Sequence, residues 1–283
     1  MCGPPPRGKV LPLLHGLEGG EGETLTKLLK YLGAYKLYEK WLLNQVKSRE
    51  MPQHLAVILN GNRRWALQRS LPAFLGHVQG AKKGEEFLEW CLELGIKTVT
   101  IYVFSTENFN RPKGEVKALF DVIEEYVEKL RFDPRIHNRR VRVKAIGRIG
   151  SLPSSLREKL RHVEEDTKRY SEFFFNVAIA YGGRAEIVDA TRKLVKDVLN
   201  GKVDLEEIDE EAFTQYLYTS HLPNPYPDLV IRSSGEERLS GFLLWQTAYS
   251  ELFFLDVYWP DFRKIDLLRA IRTFQRRKRR FGA

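Results

Sequence analysis

The chain has 283 residues, of which 43% are hydrophobic, and a formal net charge of +9 at pH 7. This length and composition allow a substantial hydrophobic core, in one large domain or two small ones. The two cysteines, Cys2 and Cys91, lack metal-ligand spacing, which excludes a disulfide framework and indicates a reducing compartment. The basic charge favours acidic partners such as nucleic acid, phosphorylated small molecules or an anionic membrane.

The N-terminal part of the sequence carries no pattern for crossing a membrane. No apolar segment approaches the ~20 residues that a spanning helix needs, and residues 9–17 are too short and too interrupted by proline for a signal peptide. We therefore expect a cytoplasmic protein, either soluble or in peripheral contact with a membrane. Residues 1–23 are rich in Pro and Gly without a period, which predicts a loose tail.

Residues 24–48 place apolar side chains at helical spacing and most lysines on the other face, which predicts an amphipathic helix. Two interpretations remain open. The helix docks on the protein core, which the pattern alone favours, or it lies against a membrane as a basic amphipathic helix.

From residue 54 onward, strand-like and helix-like segments alternate. The predicted strands are LAVIL (55–59), TVTIYVF (98–104), VRVKAIG (141–147), FFFNVAIAY (173–181), DLVIRSS (228–234) and LFFLDVYW (252–259). Helical patterns lie between them at residues 80–95, 114–130, 155–170 and 185–199. Buried strands that alternate with helices indicate a single α/β domain with a central, mostly parallel sheet flanked by helices. Ligands bind such sheets at the carboxyl ends of the strands.

The turn after the first strand is Asn60–Ala66, NGNRRWA. Gly61 allows a tight turn and a close approach to a ligand, while Arg63 and Arg64 offer charged donors. Backbone N–H groups at the start of the next helix favour an anion. The segment matches neither the Walker phosphate loop nor the dinucleotide-binding glycine motif. Taken alone, such a turn is more often a solvated loop.

Two further strand ends carry arginine with small polar residues. Ser105, Asn108 and Arg111 follow the second strand, although Ser and Asn are also ordinary cap residues, and Glu115 is placed to pair with Arg111. The segment after the fifth strand supplies three more polar side chains, Arg232, Arg238 and Ser240, and later Glu251. Three such strand ends favour a ligand with several phosphate charges. Because the sheet and helix interior is apolar, that ligand is compatible with a lipid diphosphate.

Seven segments, in order and at matching spacing, together resemble the cis-prenyltransferases, typified by undecaprenyl diphosphate synthase. They are HLAVILNGNRRWA, GHVQGAKK, TIYVFSTENFNRPKGEV, NVAIAYGGRAEIVDA, DLVIRSSGEERLSGFLLWQTAYSELFF, WPDF and the terminal RRFG. The resemblance covers residues 50–283, and the aspartate-rich motifs of the trans-prenyltransferases are absent. It implies one catalytic domain with a hydrophobic tunnel, in a non-Rossmann α/β fold that differs from the all-α trans-prenyltransferase fold.

The resemblance implies cis-prenyl chain elongation, in which isopentenyl diphosphate is condensed with an allylic diphosphate, farnesyl or geranylgeranyl diphosphate, with Mg²⁺ as cofactor. By resemblance, the allylic diphosphate is held by Asn60, Gly61, Asn62, Arg63, Arg64, Trp65 and His77. Isopentenyl diphosphate is held by Arg232, Arg238, Ser240, Arg280 and Gly282. The catalytic set is Asn60, Ser105, Asn108 and Arg111, and the metal residues are Asn60 and Glu251. We interpret Gly182, Gly183 and Arg184 as structural.

The terminal segment Arg280–Gly282 resembles the R-x-G element that reaches into the neighbouring subunit's site, which implies a homodimer. Two positions depart from the family pattern: Asn60 stands where the family has its chief metal-organising Asp, and Ala73 stands where many members have Arg. A neutral amide is a poorer Mg²⁺ ligand than a carboxylate. We therefore expect this site to bind diphosphate better than it reacts.

Two alternatives remain. One is a non-catalytic partner subunit of a heteromeric cis-prenyltransferase, although such a subunit would be expected to lose several of the site residues that this chain retains. The other is a nucleic-acid-binding protein, which the net charge and the basic C-terminal residues favour. No nucleic-acid-binding motif is present, and the arginines follow strands of the sheet instead of lining one helix. We therefore expect no nucleic-acid partner.

Overall fold

The computed structural model describes residues 33–277, which divide into an N-terminal unit ending at Gln45 and a second unit starting at Val46. Helix α1, Ala34–Lys47, lies inside the range predicted for the amphipathic helix. The predictions for residues 1–23, for residues 24–32 and for the C-terminal R-x-G segment fall outside the described residues. Within the described part, no helix is both long and apolar enough to cross a membrane.

A parallel sheet of six strands forms the centre of the described chain. Its strands are β1 His54–Ile58, β2 Thr98–Ser105, β3 Val141–Ile146, β4 Phe173–Tyr181, β5 Leu229–Arg232 and β6 Glu251–Phe254. Their order is β3-β4-β2-β1-β5-β6, and every neighbouring pair is parallel. Each of the six coincides with a strand predicted from an apolar run. All residues of β1 and β5 are buried, as expected when helices cover both faces of a sheet.

The remaining helices of the described chain connect these strands. They are α2 Asn62–Gln68, α3 Ala73–Glu93, α4 Lys113–Phe132, α5 Pro134–Asn138, α6 Ser154–Thr167, α7 Gly183–Leu199, α8 Glu210–Thr214 and α9 Lys264–Arg276. The four predicted helices correspond to α3, α4, α6 and α7. Helix α9 was not predicted, although its buried Ile265, Leu268 and Ile271 recur at helical spacing.

The strand order positions the site. From β1 the chain reaches β2 on one side of the sheet, and later β5 pairs with the other side of β1. In open parallel sheets, ligands bind where neighbouring connections diverge at the carboxyl ends of the strands. Strand β2 also leaves regular register with β4 between Tyr102 and Ser105. Such an irregularity re-aims side chains near a site, here at the end of β2.

Candidate active site

A single cavity of about 850 Å³ begins at the carboxyl ends of β1, β2 and β5 and continues between α3, α4 and the sheet. Its polar mouth is lined by Asn60, Gly61, Asn62, Arg63, Arg64, His77, Ser105, Asn108, Arg111, Arg232 and Ser240. Its apolar interior is lined by Leu88, Ile101, Leu119, Val122, Ile123, Val127, Leu130, Phe175 and Val177. The fold thus brings most of the predicted site residues to one opening, and the interior corresponds to the predicted hydrophobic tunnel.

Gly61 fixes the turn that follows β1. Its φ is +97°, and a Cβ there would lie 2.5 Å from Cδ1 of the Tyr258 ring, so a larger residue would be both strained and crowded. The Asn60 backbone N–H donates to Ser233 Oγ at 3.0 Å, and Asn60 Oδ1 accepts from the Gly61 N–H at 3.0 Å. These contacts hold the Asn60 side chain at the mouth.

Helix α3 approaches this turn closely because two of its residues are glycines. A Cβ on Gly76 would lie 2.1 Å from the Asn62 carbonyl oxygen, and one on Gly80 would lie 2.5 Å from Asn62 Oδ1. The approach buries Asn62 Oδ1 and His77 Nε2, and neither atom has a hydrogen-bond partner among the described residues. Buried polar atoms are seldom left unpaired in proteins, so both point to a ligand at the mouth.

The first charge cluster of the mouth, the Glu115 cluster, gathers three groups around one carboxylate. Arg111 lies 3.2 Å from Glu115, as the i,i+4 spacing predicts, Arg63 lies 3.6 Å away, and His77 Nε2 lies 4.0 Å away. Burial, together with the positive charge of Arg111, lowers the pKa of His77 to about 4 in spite of Glu115. His77 is therefore neutral near pH 7 and contributes hydrogen bonding instead of charge.

The second charge cluster, the Glu236 cluster, gathers three arginines around another carboxylate. Arg64 and Arg232 donate to Glu236 at 2.7 and 2.6 Å, and Arg238 also pairs with it. Burial acts to raise the pKa of Glu236, but a hydrogen bond from Asn60 and the arginine charges outweigh it, so this pKa lies below its usual value. The carboxylate is therefore ionised at neutral pH.

Arg232 is the most deeply placed cation of the Glu236 cluster, with only 3% of the residue exposed. Its guanidinium also donates to Ser240 Oγ at 2.7 Å and to the Arg238 carbonyl oxygen, while its Nε has no partner among the described residues. The sequence prediction that Arg232 and Ser240 act together is consistent with this contact.

The end of β2 combines capping with exposure to the cavity. The Ser105 backbone N–H donates to Asn108 Oδ1 at 3.0 Å across the short helical turn Thr106–Asn110. The capping interpretation of Asn108 is therefore correct. Both residues also line the cavity, so the capping role and a role at the reacting carbons are compatible.

Three residues of the predicted site do not line the cavity. The Trp65 indole N–H donates to Asp261 at 2.8 Å, and Trp65 does not line the cavity. The Arg238 side chain pairs with Glu236 beside the cavity. Glu251 starts β6 opposite Leu229, at the amino end of the sheet, and pairs with Arg277 at 2.5 Å. A metal role for Glu251 in its own protomer has no geometric support.

The segment containing Ala73 also has no cation aimed at the cavity. Ala73 begins α3, and the nearby Arg69 pairs with Asp261 at 3.0 Å. The Arg69 guanidinium lies 4.4 Å from the Trp65 ring. Arg280 and Gly282 lie outside the described residues.

Sequence reasoning missed several residues at the mouth. Gly182, Gly183 and Arg184, interpreted as structural, line the cavity, as do Glu107 and Glu236. Both glycines do have a structural reason, because a Cβ on Gly183 would lie 2.6 Å from the Gly241 carbonyl oxygen. Arg184 makes no ion pair with any described residue. Its position directly after a strand was the signal that could have identified it.

The described residues of the mouth offer few protein ligands to a divalent cation. Among the described residues, no group of three His, Cys, Asp or Glu side chains is arranged to hold a metal ion. Asn60 and Glu236 both line the mouth and supply one amide and one carboxylate oxygen. Mg²⁺ commonly takes one or two protein oxygens and completes its coordination with phosphates and water. These residues thus fit a cation that arrives largely coordinated by a diphosphate.

In this α/β fold, a cavity with an arginine-rich mouth and an apolar interior is typical of enzymes whose substrates carry a charged group on an apolar chain. Comparison with known proteins agrees. Residues 58–282 match the family described as "Putative undecaprenyl diphosphate synthase", and the chain belongs to this family of cis-prenyltransferases. It is a transferase of prenyl groups, as the sequence resemblance predicted.

Curated relatives are similar over most of their length. A protein of Methanopyrus kandleri is 55% identical over 248 residues, which cover 88% of this chain and 91% of the relative. One of Pyrococcus abyssi is 54% identical over 249 residues, covering 88% and 94%. Both are named tritrans,polycis-undecaprenyl-diphosphate synthase (geranylgeranyl-diphosphate specific).

Solved structures share the fold. Lavandulyl diphosphate synthase from Lavandula x intermedia, in complex with dimethylallyl diphosphate, matches with a TM-score of 0.78 and 36% identity, over 82% of this chain and 99% of that chain. A probable undecaprenyl diphosphate synthase from Campylobacter jejuni matches with a TM-score of 0.67 and 34% identity, over 83% and 99%.

Proposed function

We propose that this enzyme condenses isopentenyl diphosphate repeatedly with geranylgeranyl diphosphate to make a long-chain polyprenyl diphosphate. The observation that carries the proposal is the continuity of the cavity, from an arginine-rich mouth into an apolar interior. A growing chain needs both, because its diphosphate must stay at the reacting end while its hydrocarbon is removed from water. The names of the archaeal relatives favour geranylgeranyl over farnesyl diphosphate as the starter.

In this proposal different cationic and polar side chains of the mouth hold the two substrates. Arg63, Arg64 and His77 hold the allylic diphosphate, and Arg232 with Ser240 holds isopentenyl diphosphate. As the bond from the allylic carbon to oxygen breaks, the departing diphosphate gains negative charge, which fixed guanidinium groups stabilise. The isopentenyl double bond forms the new carbon–carbon bond and a proton is then lost, next to Ser105 and Asn108.

Mg²⁺, when bound, would supply further positive charge to the departing diphosphate. Asn60, through its amide oxygen, and the neighbouring Glu236 are the residues that would hold it together with the diphosphate. Since an amide oxygen binds Mg²⁺ more weakly than a carboxylate, turnover in this chain is impaired by Asn60. The enzyme acts as a homodimer, and the partner's Arg280 and Gly282 complete the isopentenyl diphosphate site. Peripheral contact of the N-terminal helix with a membrane is part of the same proposal.

The test is incorporation of radiolabelled isopentenyl diphosphate in the presence of Mg²⁺, with geranylgeranyl or farnesyl diphosphate as starter, followed by chromatography of the products. We expect long polyprenyl products and a kcat/KM roughly 10-fold higher for the geranylgeranyl starter, because an extra isoprene unit buries more apolar surface. No incorporation by the pure chain, together with activity on addition of a second cis-prenyltransferase subunit, would establish the partner-subunit alternative instead.

A further inference from the structure

Glu236 is the carboxylate on which both predicted diphosphate sites converge. Arg64, assigned to the allylic diphosphate, donates to Oε1 at 2.7 Å, and Arg232, assigned to isopentenyl diphosphate, donates to Oε2 at 2.6 Å. Arg238 pairs with Oε2 as well. The side chain is 23% exposed, so these contacts are only partly screened by water.

A diphosphate that binds either arginine competes with this carboxylate. The NH1 group of Arg232 already donates to Ser240 Oγ and to the Arg238 carbonyl oxygen, while its NH2 group donates to Glu236. Its Nε has no hydrogen-bond partner among the described residues. One N–H donor of the guanidinium is therefore available to a ligand. An anion that takes the NH2 group as well must displace Glu236, since two anions on one donor repel each other.

The same exchange affects the other site. Once the carboxylate leaves Arg232, its remaining contacts with Arg64 and Arg238 must rearrange, because all three arginines share its two oxygens. Asn60 lines the same mouth as Glu236, so its amide offers the released carboxylate a neutral partner. Binding of the first diphosphate would thus be weakened by the free energy needed to displace Glu236. The second diphosphate would bind arginines that Glu236 no longer occupies.

We propose that Glu236 is an internal anion that couples the two diphosphate sites, so that occupation of one tightens binding at the other. The inference rests on the proposed function, because it assigns Arg64 and Arg232 to different substrates. Thermodynamic linkage requires the coupling to be reciprocal, with the same factor in both directions. Since coupling between sites typically amounts to 5–150-fold, we expect about 10-fold here.

The experiment is isothermal titration calorimetry with isopentenyl diphosphate and with geranylgeranyl S-thiolodiphosphate, an unreactive allylic analogue. Each ligand is titrated alone and in the presence of the other, at fixed Mg²⁺ and again with EDTA. The variants are Glu236→Gln, which keeps the size but removes the charge, and Glu236→Ala. Glu237→Gln is the matched control, since Glu237 is exposed and its side chain does not line the cavity. Thermal unfolding verifies that each variant is folded.

For the unmodified chain and for Glu237→Gln, we expect each ligand to bind about 10-fold more tightly when the other is present. For Glu236→Gln and Glu236→Ala, each ligand alone should already bind about 10-fold more tightly, and the coupling factor should fall to about 1. Retained coupling in both Glu236 variants would overturn the inference. Weaker binding of each ligand alone by Glu236→Gln in EDTA would also overturn it, because the carboxylate would then support diphosphate binding without a cation instead of competing with it. If the unmodified chain bound neither ligand, the proposed function itself would fail.

Discussion

The polar mouth and the apolar interior of the cavity are built on different principles. At the mouth, loops that follow three strands are held by specific bonds, such as those from Arg64 and Arg232 to Glu236. In the interior, helices α3 and α4 present apolar side chains against β2 and β4, and Gly84 leaves open space in the wall. The properties of the mouth therefore depend on the charge of each residue, whereas those of the interior depend on the total volume of the side chains that line it.

The largest effect is expected from removing a buried cation of the mouth. Arg232→Ala should lower kcat/KM for isopentenyl diphosphate by roughly 10²–10³-fold, the usual result of losing one well-placed electrostatic group. It also leaves Glu236 without its most buried partner. Steady-state incorporation of labelled isopentenyl diphosphate measures the change. Arg192→Ala, which removes an exposed arginine of α7, is the matched control. An equal loss of kcat/KM in both variants would contradict a specific role of Arg232 in binding isopentenyl diphosphate.

Position 60 tests the charge of the mouth in the other direction. Asn60→Asp should raise Mg²⁺-dependent turnover on the order of 10²-fold, with much less change in affinity for the allylic diphosphate, because the added carboxylate acts mainly when charge develops in the transition state. The Asn60→Ala variant, which also lacks the amide oxygen, should fall below the starting protein. If the Asn60 protein is already as fast as the Asp variant, residue 60 does not organise the metal.

A substitution in the interior should change the length of the products more than the rate of the reaction. Gly84→Leu places a side chain in the open space of the cavity wall formed by α3. The products should therefore be shorter by one or more isoprene units. The KM for isopentenyl diphosphate should stay within about 2-fold, because the substitution does not change the residues that bind diphosphate at the mouth. Product chromatography measures this. Gly114→Leu is the control, because Gly114 also faces open space but does not line the cavity. Unchanged product length in the Gly84 variant would mean that the chain follows another path.

Away from the mouth, the expected effect is on stability instead of activity. Burial lowers the pKa of His54 to about 4, where the ordinary value is 6.5. Between these pH values the unfolded chain binds a proton that the folded chain does not, so the free energy of unfolding falls as pH drops from 6.5 to 4. The contribution is about 1.4 kcal/mol per pH unit.

Urea unfolding at several pH values between 7 and 4 measures this slope. His54→Gln should flatten it by the contribution of one histidine, although it also weakens the contact with Thr100 Oγ1 at 2.8 Å and so lowers stability at every pH. His77 and His221 have similarly lowered pKa values, so some pH dependence should remain. A slope that is identical in the variant would exclude His54 as a source of acid sensitivity.

The fold was largely predictable because its strands are apolar runs between helical patterns. All six predicted strands are present in the described chain, and the site residues that directly follow β1, β2 and β5 meet at one opening. Helix α9 was not predicted, although its buried apolar residues recur at helical spacing. Trp65 was assigned to the mouth with its neighbours, yet it points elsewhere, since successive residues of a helix face different directions.

The sequence by itself determined which strands form, which residues follow them, and to which family the chain belongs, because local periodicity and motif spacing are properties of the order of residues. Only the tertiary structure decided how the charges pair. Glu236 and Glu115 draw arginines from three separate segments, and Arg184 enters the mouth from a fourth. The physical reason is that electrostatic interaction depends on distance and burial in three dimensions. Spacing along the chain predicted the pair of Arg111 with Glu115, but it specifies neither distance nor burial between segments that are far apart in the sequence.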